Sequence, residues 1–124
     1  MKRMIITMVL LLVASTTVEA EDIWDELATL THQMQALQIA SIKCQLEIQA
    51  YNKVRQYCLD LDNAYSRILV NKDVLFKNPQ KVSQMKSEAK SDSQKQMAMQ
   101  KYADETKLAT EEVKKAYTQI GQIK

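Results

Sequence analysis

Apolar residues recur at alternating steps of four and three over residues 23–58. The set, which we call the seam, is Ile23, Leu27, Leu30, Met34, Leu37, Ser41, Cys44, Ile48, Tyr51, Arg55 and Cys58. Only Ser41 and Arg55 interrupt its apolar character. This spacing puts the side chains on one side of an α-helix, as in coiled coils. The seam therefore predicts a helix that packs lengthwise against another helix.

The chain beyond residue 78 carries signals for the start and the end of a helix. Asn78 can cap the first turn, and Pro79 suits the first helical position. Gly121 can end a helix in the left-handed conformation. These signals predict a last helix at 79–121, with residues 71–78 as the main connection.

The composition excludes most folds that contain a sheet. The chain has one Gly and one Pro in 124 residues, whereas strand-rich folds need turn residues about every 8–12 positions. The abundant Ala, Gln, Lys, Glu, Leu and Met are good helix formers. We therefore predict an all-α fold: a single domain at 21–124, built as an antiparallel bundle of two long or three helices with coiled-coil-like packing.

Residues 1–20 have the pattern of a cleaved signal peptide. Lys2 and Arg3 form a basic start, residues 4–14 are apolar, and residues 18–20 offer small side chains at the cleavage positions. The apolar run is shorter than the roughly 20 residues of a membrane span. We therefore expect a chain exported to the periplasm or the exterior, with no stable membrane insertion after cleavage.

The two cysteines restrict the fold, because an exported protein is expected to oxidise them. In one continuous helix Cys44 and Cys58 lie about 21 Å apart, at 1.5 Å per residue. A disulfide requires Cα atoms roughly 4.4–6.8 Å apart. A straight helix therefore excludes an internal disulfide.

Two arrangements satisfy this restriction, and both place Tyr51 at their centre. In the first, the chain turns near Tyr51 and an internal disulfide joins two antiparallel helices; the helices are then about 22–49, 53–70 and 79–121. In the second, residues 22–70 form one helix, and two chains cross as a homodimer with two intermolecular disulfides. We favour the first, because exported cysteines usually pair internally and Asn52 can serve as a turn residue. The second stays open, because neither Gly nor Pro lies near residue 51.

The charge of the mature chain is nearly balanced. Without Lys2, Arg3 and Glu19, 15 basic and 14 acidic residues are left, a net charge of +1. This balance argues against general binding to nucleic acid, which requires a basic surface.

No catalytic, cofactor or metal site can be assembled from the motifs. His32 is the only histidine, which excludes a histidine triad and a site with several histidine ligands. Asp60 and Asp62 resemble the start of a calcium loop, but Tyr65 and Asn71 replace its required Gly and Glu. We therefore expect no enzyme activity, no cofactor and no metal.

The patterns that are left favour binding to another protein. We expect an exported, non-enzymatic interaction protein, an accessory or structural component of envelope, secretion or conjugation machinery that acts through helix faces. The alternative is a small inhibitor or immunity protein that blocks an exported enzyme; a periplasmic chaperone and a metal carrier are more remote. The candidate interaction surface comprises Met85, Met97, Met99 and Tyr102.

Overall fold

The computed structural model describes residues 22–123, and this part of the chain contains four helices and no strand. The helices are α1 (Ile23–Tyr51), α2 (Gln56–Phe76), α3 (Pro79–Ala89) and α4 (Ser93–Gln122). The predicted all-α class is confirmed. The predicted signal peptide lies outside the described residues.

Helix α1 is the centre of the bundle, with α2 on one flank and α4 on the other. The hydrogen bond from Asn71 to Gln33 and the Cys44–Cys58 pair show that α2 runs antiparallel to α1. Along α4, Glu105 and Glu112 follow the direction of α1, because they meet Gln38 and Gln45 in that order. The three long helices therefore run up, down and up.

The seam forms the core of this bundle. Every seam residue of α1 from Ile23 to Ile48 is buried. Ser41 is fully buried as well, and its hydroxyl has no hydrogen-bond partner. The seam ends there, since Tyr51 and Arg55 are exposed, and it resumes at the buried Cys58. The predicted helix–helix packing is thus confirmed as far as Ile48.

The chain reverses at residues 52–55, which connect α1 to α2. Asn52 takes the left-handed conformation with φ 54°, and its N–H donates to the carbonyl of Ile48. Cys44 and Cys58 then face each other at disulfide distance, with Cα atoms 4.6 Å apart. The structure therefore has the first of the two predicted arrangements, an internal pair across a turn.

The helix boundaries in the second half differ from the prediction. Helix α2 continues through residues 71–76, because Leu75 extends its buried row beyond Ile68 into the core. The predicted last helix at 79–121 is two helices. The side chain of Asp92 accepts hydrogen bonds from the backbone N–H groups of Gln94 and Lys95 and so starts α4, while α3 ends at Ala89. This break lets α3 contact α1, α2 and α4 at the end of the bundle that lies opposite the turn at residues 52–55. We call this end the base.

Glu88 links three helices at that base. Its carboxylate accepts hydrogen bonds from the indole N–H of Trp24 on α1 at 2.7 Å, from the ammonium of Lys95 on α4 at 2.8 Å, and from the amide of Gln84 on α3 at 2.7 Å. These bonds, that from Lys95 first, stabilise the charged form and lower the pKa of Glu88 from 4.5 to about 2.

We expect this carboxylate to make stability depend on acid pH. Because the pKa of Glu88 is lower in the folded than in the unfolded chain, its contribution is fully present above pH 4.5 and is lost as the pH falls toward 2. Glu88→Gln should therefore flatten the fall in the free energy of unfolding over this window, which urea titrations at several pH values would measure. Asp104→Asn, on the exposed face of α4, is the control. Equal slopes for the wild type and Glu88→Gln would contradict the expectation.

Candidate interaction surface

The four residues of the predicted interaction surface do not lie together on the surface. Met85 is only 2% exposed, because α3 turns it into a core cluster with Ile23, Leu27, Leu30 and Leu75. Met99 and Tyr102 are half-buried against the same cluster, and the ring of Tyr102 lies 5.3 Å from that of Phe76. Met97 is 69% exposed. Of the four, therefore, only Met97 is largely open to a partner.

A different apolar surface lies on the central helix, on the side of α1 that faces away from the seam. Ile39, Ile42 and Leu46 are 55%, 44% and 58% exposed. Steps of three and four residues place them in one row, which we call the outer face. The outer face is visible in the sequence, because apolar residues occupy more than one side of α1 between residues 36 and 50. That pattern correctly indicates a central helix, but α2 and α4 leave this row uncovered.

The outer face also lacks charge. From Leu27 to Leu46 the only Lys or Arg is Lys43, and no Asp or Glu occurs. Exposed helix faces normally carry charges, whereas the centres of protein interfaces are depleted of them. Exposed apolar side chains and missing charges are independent observations, and both are typical of the centre of a protein interface.

Helix α4 contributes one further apolar side chain beside this row. Leu108 is exposed and lies between Glu105 and Glu112, the residues that meet Gln38 and Gln45 of α1. It is therefore level with Ile42 across the junction of the two helices. The glutamine amides hold the two carboxylates in place, and the hydrogen bond from Gln45 lowers the pKa of Glu112.

The outer face leads to the end of the bundle where α1 turns into α2. There the guanidinium of Arg55 lies over the ring of Tyr51, 4.0 Å from its centre, and the ammonium of Lys43 lies 5.5 Å from the ring centre of Tyr57. Glu47 accepts a hydrogen bond of 2.9 Å from the backbone N–H of Tyr57 and so caps the first turn of α2. The nearby Cys44–Cys58 pair joins α1 to α2 at this end of the bundle.

These side chains border a groove of about 500 Å³, which we call the tip groove. Its lining residues are Lys43, Leu46, Glu47, Ala50, Tyr51, Arg55, Gln56 and Tyr57. Among residues 22–123, no ion pair involves Lys43, Lys53 or Arg55. The groove thus combines apolar walls with cations that form no ion pair within the described chain.

The remaining polar residues do not assemble into a second site. His32 is exposed, and the described residues contain no group of His, Cys, Asp and Glu able to hold a metal ion. Asp62 accepts a hydrogen bond from Tyr117 of α4, which joins α2 to α4. None of the helices within residues 22–123 combines the length and the apolar character needed to span a membrane.

Comparison of the chain with protein-family models, with curated proteins and with solved structures gives no match. The function must therefore be inferred from the residues and their geometry. The outer face and the adjoining tip groove are the features on which such an inference can rest.

Proposed function

We propose that this chain is an exported, non-enzymatic interaction protein whose outer face binds a helix of a partner protein. The observation that supports this proposal is the row Ile39, Ile42 and Leu46, which is exposed and apolar and lies in a stretch of the central helix without Asp or Glu. Such a row is the half of a helix–helix interface that one chain supplies.

The energy available from this surface suits a specific but moderate interaction. Fully burying one such aliphatic side chain is worth about 1.5–3 kcal/mol. Ile39, Ile42, Leu46 and Leu108 are each roughly half exposed, so covering all four would contribute on the order of 4 kcal/mol. Further affinity must come from polar contacts at the rim, and the tip groove adjoins the row.

A partner of different sequence is favoured over a second copy of this chain. Two copies packed antiparallel through Ile42 would bring the two Lys43 side chains close together, and like charges in contact oppose association. The uncovered face would suit an accessory component of envelope, secretion or conjugation machinery. Export itself is supported by the internal cysteine pair, which is typical of oxidising compartments.

Photo-crosslinking in the cells that export the protein would test this proposal. A benzoylphenylalanine at position 42 should crosslink to one discrete partner, and the same group at the exposed Ser66 on α2 should not. Against that partner in purified form, Ile42→Glu should weaken binding roughly 10- to 100-fold, because it puts a carboxylate into an apolar interface. Ser66→Glu is the matched control.

Three outcomes would contradict the proposal. Equal crosslinking from positions 42 and 66 would show that the outer face is not selective. A crosslink between two copies of the chain would show that the outer face forms a homodimer and does not bind another protein. Unchanged affinity of Ile42→Glu for the captured partner would place the interface elsewhere.

A second function is favoured by the tip, namely inhibition of an exported enzyme. The turn is held next to the cysteine pair, and Arg55 stacks on Tyr51, so the chain presents a compact charged epitope of the kind that such inhibitors use. Identification of the crosslinked partner separates the two functions. An enzyme whose activity falls on stoichiometric addition of this protein would establish inhibition.

A further inference from the structure

We infer that the tip groove binds an acidic segment of the partner protein, next to the part of the partner that covers the outer face. This inference rests on the proposed function and adds the chemistry of the partner. It follows from the cations of the groove, from the way they are held, and from the position of the groove at one end of the row.

Two cations of the groove are held in place by aromatic rings. Arg55 stacks on Tyr51 and Lys43 lies over Tyr57. A guanidinium stacked on a ring keeps the N–H groups at its edge free to form paired hydrogen bonds with a carboxylate. A side chain that packs on a ring before binding loses less conformational entropy when it binds an anion than a lysine without such a contact.

The one acid that lines the groove offsets only part of its positive charge, since Lys43 and Arg55 are two cations against one carboxylate. Glu47 is the only acidic residue among those that line it, and its carboxylate is bound to the backbone N–H of Tyr57 at the start of α2. Lys53 adds a third cation on the turn and, like Lys43 and Arg55, takes part in no ion pair of the described chain. The excess of positive charge therefore favours an acidic occupant.

The distribution of charge favours an acidic protein segment over a membrane surface. A helix that lies on an anionic bilayer carries Lys or Arg along its whole length. Here the outer face is uncharged apart from Lys43, and the cations gather at one end, near Lys53 and Arg55. This arrangement fits a partner with an apolar stretch followed by acidic residues.

The chain supplies a matched control for the test. A groove of about 640 Å³ along α3 contains Lys86 and Lys90, both exposed and without an ion pair among the described residues. No aromatic ring holds either lysine in that part of the structure. Lys43→Gln/Arg55→Gln and Lys86→Gln/Lys90→Gln remove the same charge from the two grooves.

The experiment is an NMR titration of the oxidised protein with N-acetylated hexaglutamate. We expect amide shift changes concentrated at residues 43–57, and a roughly tenfold weaker affinity for Lys43→Gln/Arg55→Gln. Lys86→Gln/Lys90→Gln should bind like the wild type. Circular dichroism of each variant checks that the helices are retained, as expected for substitutions at exposed positions.

Four results would overturn the inference. They are shifts spread evenly over all exposed lysines, an equal loss of affinity in both variants, the same shifts with inorganic phosphate alone, and stronger binding to vesicles of phosphatidylcholine and phosphatidylglycerol than to hexaglutamate. The two proposals fail separately. If position 42 gives no crosslink but hexaglutamate binds the tip groove, only the proposal for the outer face is refuted. If position 42 gives the crosslink but hexaglutamate does not bind, only the acidic occupant is refuted.

Discussion

Replacing Cys44 and Cys58 together by Ala is expected to lower the free energy of unfolding by about 3 kcal/mol, the value for a closed loop of about 15 residues. The bridge spans a sequence separation of 14 and joins α1 to α2 next to their turn. Without it the unfolded chain gains freedom that the folded chain does not. Urea denaturation of the variant and of the oxidised wild type would measure the difference.

Reduced wild-type protein is the control, because it loses the covalent bond but keeps both sulfur atoms in the core. Its loss of stability should be slightly smaller than that of the double alanine variant, which also leaves small cavities at two fully buried positions. Intact mass should show a monomer lighter by two hydrogens than its reduced form. A covalent dimer, or equal stability of the oxidised and reduced proteins, would contradict the expectation.

Replacing two leucines of α1 by Ala is expected to lower the free energy of unfolding strongly at one position and hardly at the other. Leu37 lies in the core and is 2% exposed, whereas Leu46 lies on the outer face. Leu37→Ala should cost about 2–5 kcal/mol, because it removes buried methyl groups and leaves a cavity. Leu46→Ala should change the free energy of unfolding by less than about 0.5 kcal/mol.

The pair is also a test of the proposed function, since both substitutions make the same chemical change in the same helix. Leu46→Ala should weaken binding to the partner captured through position 42 while it leaves stability intact. A destabilisation by Leu46→Ala comparable to that of Leu37→Ala would show that Leu46 belongs to the core. The outer face would then not be available to a partner protein.

Part of the fold is predictable because the seam is local information. Eight residues from Ile23 to Ile48 are spaced so that any helix places them on one side, and burial of that side follows wherever α1 packs. The turn was predictable only in part, because the sequence left open a long helix with intermolecular disulfides. Two cysteines 14 residues apart can pair within one chain only if the helix between them is broken, and Asn52 tolerates the left-handed conformation that such a break uses.

The helix ends of the second half were harder to predict, because their signals compete. Asn71 and Asp73 are common in turns, yet α2 continues past them since the buried Leu75 continues its row. The reverse error occurs at residues 86–93, whose composition is compatible with one continuous helix. Asp92 caps a separate helix, α4, and the break lets α3 place Met85 in the core. Local preference decides such points only where tertiary contacts do not oppose it.

The sequence alone determined the helical class, the seam of α1 and the incompatibility of an internal disulfide with a straight helix, since these depend on spacing along one chain. Only the structure shows the internal pair. Only the tertiary structure decided which apolar residues are left exposed. Met85 is buried and Leu46 is open, although both are large apolar residues of helices. The physical reason is that burial depends on where neighbouring helices lie. Helices α2 and α4 cover two flanks of α1 and leave the third exposed.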